Sequence, residues 1–448
     1  MGILTTFRNA WKIADLRKKI LFTLMIIVLF RIGASIPVPF LDASAVASYF
    51  TTGNTLLGYM NMLSGNALSV GTLFALTIQP YINASIIIQL LTVAIPYFER
   101  LAKDDSAEKK GRKKLNKITR YATIAIALLQ SFGYFQILRT AGALNGDVIA
   151  DASKFSWELF LVAACIILTL VAGSMLVQWL GEEIDEKGIG NGISMILFAS
   201  IVSRAPDLLT FFINCFTGEE GKNWFVSAQW WLAIIVLVLA IAMFGLIVFM
   251  DSAERRVTIQ YAKRQVGRKV YGGQKQQLPI KVCMTGVMPI IFAFAITSLP
   301  ATIAAFIPGK NWFTTGVEKY FGQTSAAYMI ISFALIIAFN YFYIAIQYNA
   351  SDIAKQLREN GGTIPGIRPG RPTVDFIMNT VNKITLFGAI YLGVIAIFPY
   401  ILQAIFGDSL AGIALGGTSM MILVSVALET VKVLEAQMIQ RNMPSVLD

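Results

Sequence analysis

The chain has 448 residues, of which 56% are hydrophobic and 14% charged, with a mean hydropathy of +0.65 and a formal net charge of +11. That composition excludes an ordinary soluble domain and places the chain in a bilayer. Histidine is absent, which removes the commonest general base and metal ligand and weakens any enzymatic reading.

Ten segments are apolar and long enough to cross about 30 Å of hydrocarbon as helices. They lie roughly at 20–38, 73–96, 118–138, 156–178, 190–213, 231–250, 284–307, 325–347, 384–403 and 412–431. An even number of spans puts both termini on one side. Segments 1–19, 97–120, 179–188, 251–281, 349–383 and 432–448 hold 30 of the 37 Lys and Arg residues, so that side, with both termini, is predicted to be cytoplasmic. The N-terminus is basic and has no cleavage pattern, so the first span is expected to be its own anchor. Arg31 lies inside that span, where a charge is costly unless it snorkels or faces protein.

Ahead of the second span, "MNMLSGNALSVG" at 60–71 is small, uncharged and punctuated by glycine. As a bare sequence it reads as a loop. The spans are rich in Ser, Thr, Asn, Gln and Gly and nearly free of carboxylates, which ion-coupled transporters usually bury at mid-membrane. Glu429, toward the cytoplasmic end of the last span, is the main exception. Cys165, Cys215 and Cys283 lack CxxC spacing, so neither a disulfide framework nor a metal site is expected. "GIGNGIS" at 188–194 has no preceding strand and is expected to be a turn. Its Gly188, Gly190 and Gly192 permit sharp re-entry into the bilayer, and Asn191 can cap the helix that follows. No P-loop occurs, so ATP-driven work must come from a partner.

Two basic loops follow. In "ERRVTIQYAKRQVGRKVYGGQKQQLP", 254–279, Val257, Ile259 and Tyr261 alternate with polar residues ahead of a Gly-containing stretch, which predicts a projecting hairpin-like finger. In "GGTIPGIRPGRP", 361–372, Pro365, Pro369 and Pro372 stiffen a loop presenting Arg368 and Arg371. The residues leave two readings open. Both loops could simply follow the positive-inside rule and touch anionic lipid, or they could dock on phosphate-rich RNA or an acidic protein surface.

Nearly end to end, the chain resembles the SecY family, the large subunit of the bacterial Sec translocon. The resemblance rests on "FRIGASIPVP", "NMLSGNALS", "PYINASIIIQLLTV", "WLGEEIDEKGIGNGIS", "AKRQVGRKVYGGQ", "IPGIRPG" and "GGTSMMI". It implies an all-α polytopic membrane protein of ten transmembrane helices, in two inverted halves of five spans, 1–213 and 214–448, around a central pore. The stretch at about 60–70, with Met62, Leu63, Ser64, Gly65, Asn66 and Ala67, would be a short re-entrant plug. Its lack of charge suits a segment that packs when the pore is shut and moves into water when it opens. Ile78, Ile82, Ile193, Leu197, Ile291 and Ile422 would form the pore ring. Leu197 departs from the usual isoleucine with almost no change in volume.

The resemblance also implies a lateral gate between spans two and three on one side and seven and eight on the other, with Gln89 and Thr92, and Thr297 across the seam, as candidates that face one another or the signal helix. Arg255, Arg256 and Arg368 would dock partners. "YNASD" at 348–352 departs from relatives that carry proline after the asparagine, which touches only local loop shape. The implied partners are SecE-like and SecG-like small subunits, the SecA motor ATPase, the ribosome, signal peptides and nascent chains, and membrane lipids. No cofactor is implied. The implied function is a passive channel in the bacterial plasma membrane that passes unfolded secretory chains outward and releases apolar segments sideways. A small-solute transporter should instead show broken helices with a polar mid-membrane site, and a lipid-modifying enzyme a catalytic constellation. Neither is visible in the sequence.

Overall fold

A helix stands in each of the ten predicted spans. The computed structural model describes residues 3–42, 44–46, 64–102, 110–140, 142–144, 157–206, 230–261, 263–266, 269–272, 275–306, 311–322, 325–406 and 417–442. In chain order the first helices are α1 (Ile3–Lys12), α2 (Ala14–Gly33), α3 (Ala67–Val70), α4 (Gln79–Ala94), α5 (Pro96–Ala102), α6 (Lys110–Thr140), α7 (Trp157–Lys187), α8 (Gly192–Val202) and α9 (Trp230–Ser252). Strands β1 (Glu254–Tyr261), β2 (Lys263–Val266), β3 (Lys269–Gly272) and β4 (Lys275–Lys281) come next. The rest are α10 (Met288–Phe306), α11 (Trp312–Phe321), α12 (Ala326–Gln347), α13 (Ala350–Glu359), β5 (Gly362–Thr363), α14 (Arg371–Phe406) and α15 (Gly417–Asn442).

Among the described residues, four helical stretches are long and apolar enough to cross a membrane by length and composition: Lys113–Arg139, Trp157–Lys187, Ala326–Glu359 and Arg371–Ile401. Several helices overrun their predicted spans on the basic side. α6 begins at Lys110, α7 runs to Lys187 and α14 begins at Arg371. Hydropathy marks where lipid ends, but Lys, Arg and Glu are good helix formers and carry the helix on into water.

The second span corrects the expectation. Its helix starts at Gln79, with a proline in the first turn, and Leu73–Ile78 run as turns. Proline at that position has no N–H to leave unsatisfied and favours a helix start. The residues before it are tied elsewhere: Val38 N donates to Gly71 O at 2.9 Å and Leu73 N to Ile36 O at 2.8 Å, around a bridge between Pro37 and Thr72. Phe74 stacks on Phe30 with ring centroids 5.7 Å apart. Gly173 of α7 lets the Leu73 carbonyl approach, since a Cβ there would sit 2.0 Å from that oxygen. The break is therefore not the polar site a solute transporter would need. Phe74, Ala75 and Leu76 are buried in it, and the hydroxyls of Thr72 and Thr77 donate to the nearby carbonyls of Ala67 and Phe74.

The chain is not wholly helical. β1 pairs antiparallel with β4, from Glu254 opposite Lys281 to Gln260 opposite Lys275, while β2 and β3 form a second hairpin beyond. The predicted finger is present. Its alternation has the expected cause, because Val257 and Ile259 are buried with Ile280, Leu357, Ile364, Ile377 and Val381. β5 adds to the free edge of β1, Gln260 opposite Thr363 and Tyr261 opposite Gly362. The two basic loops are thus one folded body.

Candidate functional site

Six aliphatic side chains from four helices share one buried hydrophobic cluster, which also takes in aromatic residues such as Phe30, Phe74 and Phe292. Ile78 and Ile82 come from the start of α4, Ile193 and Leu197 from α8, Ile291 from α10 and Ile422 from α15; five belong to the cluster and half-buried Ile193 packs against it. Ile78 precedes the helix, yet Ile82 N donates to its carbonyl at 3.1 Å, so the pair keeps its one-turn relation. The start of α8 is fixed twice over. Asn191 Oδ1 accepts from Ser194 N at 3.2 Å, and Asp185 Oδ1 from Gly192 N at 2.7 Å, immediately before Ile193. The six side chains present neither donor nor acceptor, so a constriction made of them offers an ion no ligand.

Beside this cluster lies the segment 64–70. Met62 and Leu63 fall outside the described residues. Ser64 Oγ accepts from Leu68 N at 3.1 Å and closes the turn into α3. Gly65 has φ +62°, and a Cβ on it would lie 2.6 Å from both the carbonyl oxygen of Ser200 and the Oγ of Ser203 at the end of α8. Only glycine fits both the turn and that approach. Asn66 takes the left-handed region as well, at φ +69°, which asparagine tolerates better than most residues. Ala67 packs into that hydrophobic cluster, whereas Leu68 packs into a neighbouring one with Val38, Leu138 and Tyr134. The Tyr134 hydroxyl of α6 donates to the Leu68 carbonyl at 2.6 Å.

Across the seam where α4 and α6 meet α10 and α12, the structure brings together only part of what was expected. Gln89 and Thr92 are adjacent, with Thr92 Oγ1 donating to the Gln89 carbonyl at 2.6 Å. No hydrogen bond joins Thr297 to either. It is buried, its hydroxyl donates to the Ala293 and Phe294 carbonyls of its own helix at 3.0 and 3.2 Å, and it also contacts Tyr328 of α12. Gln89 meets Tyr343 of α12 instead: the Tyr343 hydroxyl donates to Gln89 Oε1 at 2.9 Å. Sequence reasoning missed Tyr134 and Tyr343. The available signal was a phenol in an apolar span, which usually needs a partner when buried.

Arg255, Arg256 and Arg368 are all exposed on the basic body. Arg256 Nε contacts Glu254 Oε1 at 2.7 Å, a pair with 63% and 30% of its side chains exposed, so solvent leaves it little net worth. Arg368 sits in the loop between β5 and α14, where its carbonyl accepts from Thr373 Oγ1 at 2.9 Å. Glu429, the carboxylate noted in the last span, is exposed. No group of three or more His, Cys, Asp or Glu residues able to hold a metal occurs among the described residues.

Comparison with known proteins places this arrangement. The SecY family model matches residues 72–431. The protein translocase subunit SecY of Streptomyces coelicolor is 41% identical over 444 residues, covering 98% of this chain and 99% of that one. A solved SecY structure, described by the role of its plug domain in stabilising the closed translocation channel and maintaining a membrane seal, superposes with a TM-score of 0.63 at 17% identity, covering 96% and 95% of the two chains. Sec61 in a canine ribosome–channel complex from the endoplasmic reticulum gives 0.61 at 17% identity with the same coverage. The fold is the polytopic helical fold of these solved channels. By family model and by identity, the chain belongs to the SecY family of protein translocase subunits, which are channels and not enzymes.

Proposed function

We propose that this chain passes unfolded secretory polypeptides outward across a bacterial plasma membrane and releases apolar segments sideways into lipid, driven by an external motor or the ribosome. The observation that carries this is that six aliphatic side chains from four helices lie in one buried hydrophobic cluster, into which Ala67 of the uncharged segment 64–70 also packs. An aliphatic collar blocks ions by staying dry, and flexible side chains adjust to a passing peptide of any sequence. Ile78, Ile82, Ile193, Leu197, Ile291 and Ile422 act as the collar. The stretch around 62–67 acts as the plug. Two halves, 1–213 and 214–448, clamp the pore, and the seam beside Gln89 and Thr92 is the exit to lipid. Thr297 serves by setting the position of Tyr328 on the facing side.

Both termini and the basic body lie in the cytoplasm, as the Lys and Arg distribution favours. Arg255, Arg256 and Arg368 meet phosphate or acidic groups of the ribosome and of a SecA motor, a reading supported by the ribosome complex of the similar Sec61 channel. Small subunits resembling SecE and SecG complete the assembly in the lipid. Purified chain, reconstituted with those subunits, SecA, ATP and a secretory precursor, should make the precursor protease-resistant inside vesicles. Precursor left fully digestible in vesicles that hold correctly folded channel would contradict the proposal.

A further inference from the structure

We infer that Tyr134 is the latch of the plug: its phenol, fixed in the third span, holds segment 64–70 in place through the Leu68 carbonyl. This rests on reading that segment as a plug. Four observations carry it. The bond is short, 2.6 Å, and joins residues 66 apart in sequence. The other donor to the same carbonyl, Gly71 N, lies at 3.3 Å, so the phenol is the closer partner of a carbonyl that a four-residue helix leaves poorly satisfied. Tyr134 is 4% exposed, among Val38, Val46, Leu68 and Leu138. Finally, the chain just after α3 is pinned by the bonds between Gly71 and Val38 and between Leu73 and Ile36, so 64–70 can swing away only from a fixed base.

The energetics of release are asymmetric. A departing plug carries its carbonyl into water, where solvent replaces the lost bond. The Tyr134 hydroxyl stays behind in an apolar pocket and must either draw water in or remain unsatisfied, and a buried donor without a partner is costly. The closed arrangement is favoured by roughly one hydrogen bond, and a substrate that wets the pocket removes that bias. The latch is neutral, so this contribution does not depend on ionic strength.

The test uses the assembled channel in planar bilayers without substrate. Tyr134→Phe should raise the resting open fraction between about twofold and tenfold, the equilibrium shift of one such bond, while motor-driven translocation continues. Tyr134→Met, also without a hydroxyl, guards against a folding defect peculiar to phenylalanine. Deleting residues 60–70 should open the channel further, and adding Tyr134→Phe to that deletion should change nothing, because its partner is gone. If the deletion leaks and both Tyr134 variants stay as quiet as the parent, the latch is refuted and the plug stands. A silent deletion refutes the plug and the latch with it. An extra leak from Tyr134→Phe in the deletion background would show that the residue acts on span packing, which also overturns the inference.

Discussion

The Tyr343 hydroxyl donates to Gln89 Oε1 at 2.9 Å, joining the eighth span to the second across 254 positions of sequence. Gln89 Nε2 is meanwhile held by Ser85 Oγ at 3.2 Å on its own helix, so the amide is oriented before it meets the phenol. In the lateral exit proposed above, this bond is the polar tie between the two sides. In an apolar surrounding such a bond is worth about 1 kcal/mol, small enough for a signal helix to displace.

Tyr343→Phe and Gln89→Leu should each lower the apolarity a segment needs to leave sideways, and the double variant should do no more than either alone. Insertion thresholds over a graded leucine series measure this. Additive effects of the two substitutions, or a coupling of Gln89→Leu with Thr297→Val instead, would show that the tie is not where the structure places it.

Arg368→Glu should impair motor-driven translocation at least several-fold while leaving the channel folded, because the residue is exposed on a stiffened loop and contributes charge rather than packing. Binding of the motor to inverted vesicles should weaken in parallel, and more so at low salt. Undiminished transport at normal channel levels would remove Arg368 from the docking surface.

Gly173→Val should destabilise the fold by about 3 kcal/mol or more, since its Cβ would lie 2.0 Å from the Leu73 carbonyl and backbone cannot give way as a side chain does. Thermal melting in detergent should show a midpoint lowered by several degrees. Gly245, where a Cβ would meet nothing within 4 Å, is the control. Equal midpoints for the two variants would mean that the base of the plug is not pinned against α7.

Ile82→Asn and Ile422→Asn should wet the collar, so that resting vesicles conduct ions and precursors with weak signal sequences are transported better. The readout is single-channel current alongside transport of a signal-defective precursor. Variants as silent and as selective as the parent would disconnect these two residues from the seal.

Much of the architecture was legible because one bilayer sets one scale. Apolar length located a helix in each of the ten spans, alternation at Val257, Ile259 and Tyr261 located the finger, and Asn191 announced the cap it makes. Local patterns could not show what depends on partners distant in sequence. The turns at Leu73–Ile78 read as the opening of a span because their side chains are apolar; what unwinds them is a bridge from Thr72 to Pro37 and a proline at the start of α4. β5 is two residues long and exists only as an addition to the edge of β1. Thr297 and Gln89 were matched by chemistry and by side of the seam, but a hydroxyl within reach of its own helix carbonyl is satisfied there first. Tyr343 carried no local signal beyond being a phenol in an apolar run.

The measurement that bears most directly on the central claim is site-specific photocrosslinking to a precursor stalled midway. A photoreactive residue placed at Ile82, Leu197, Ile291 or Ile422 should capture the stalled chain, and one at the exposed positions Ile241 or Phe249 of α9, 64% and 72% accessible, should capture lipid alone. Capture from the four helices, lost when the precursor is released, is the result expected of a pore through the hydrophobic cluster. Capture no stronger at the collar than at α9 would mean that polypeptides do not pass through this cluster.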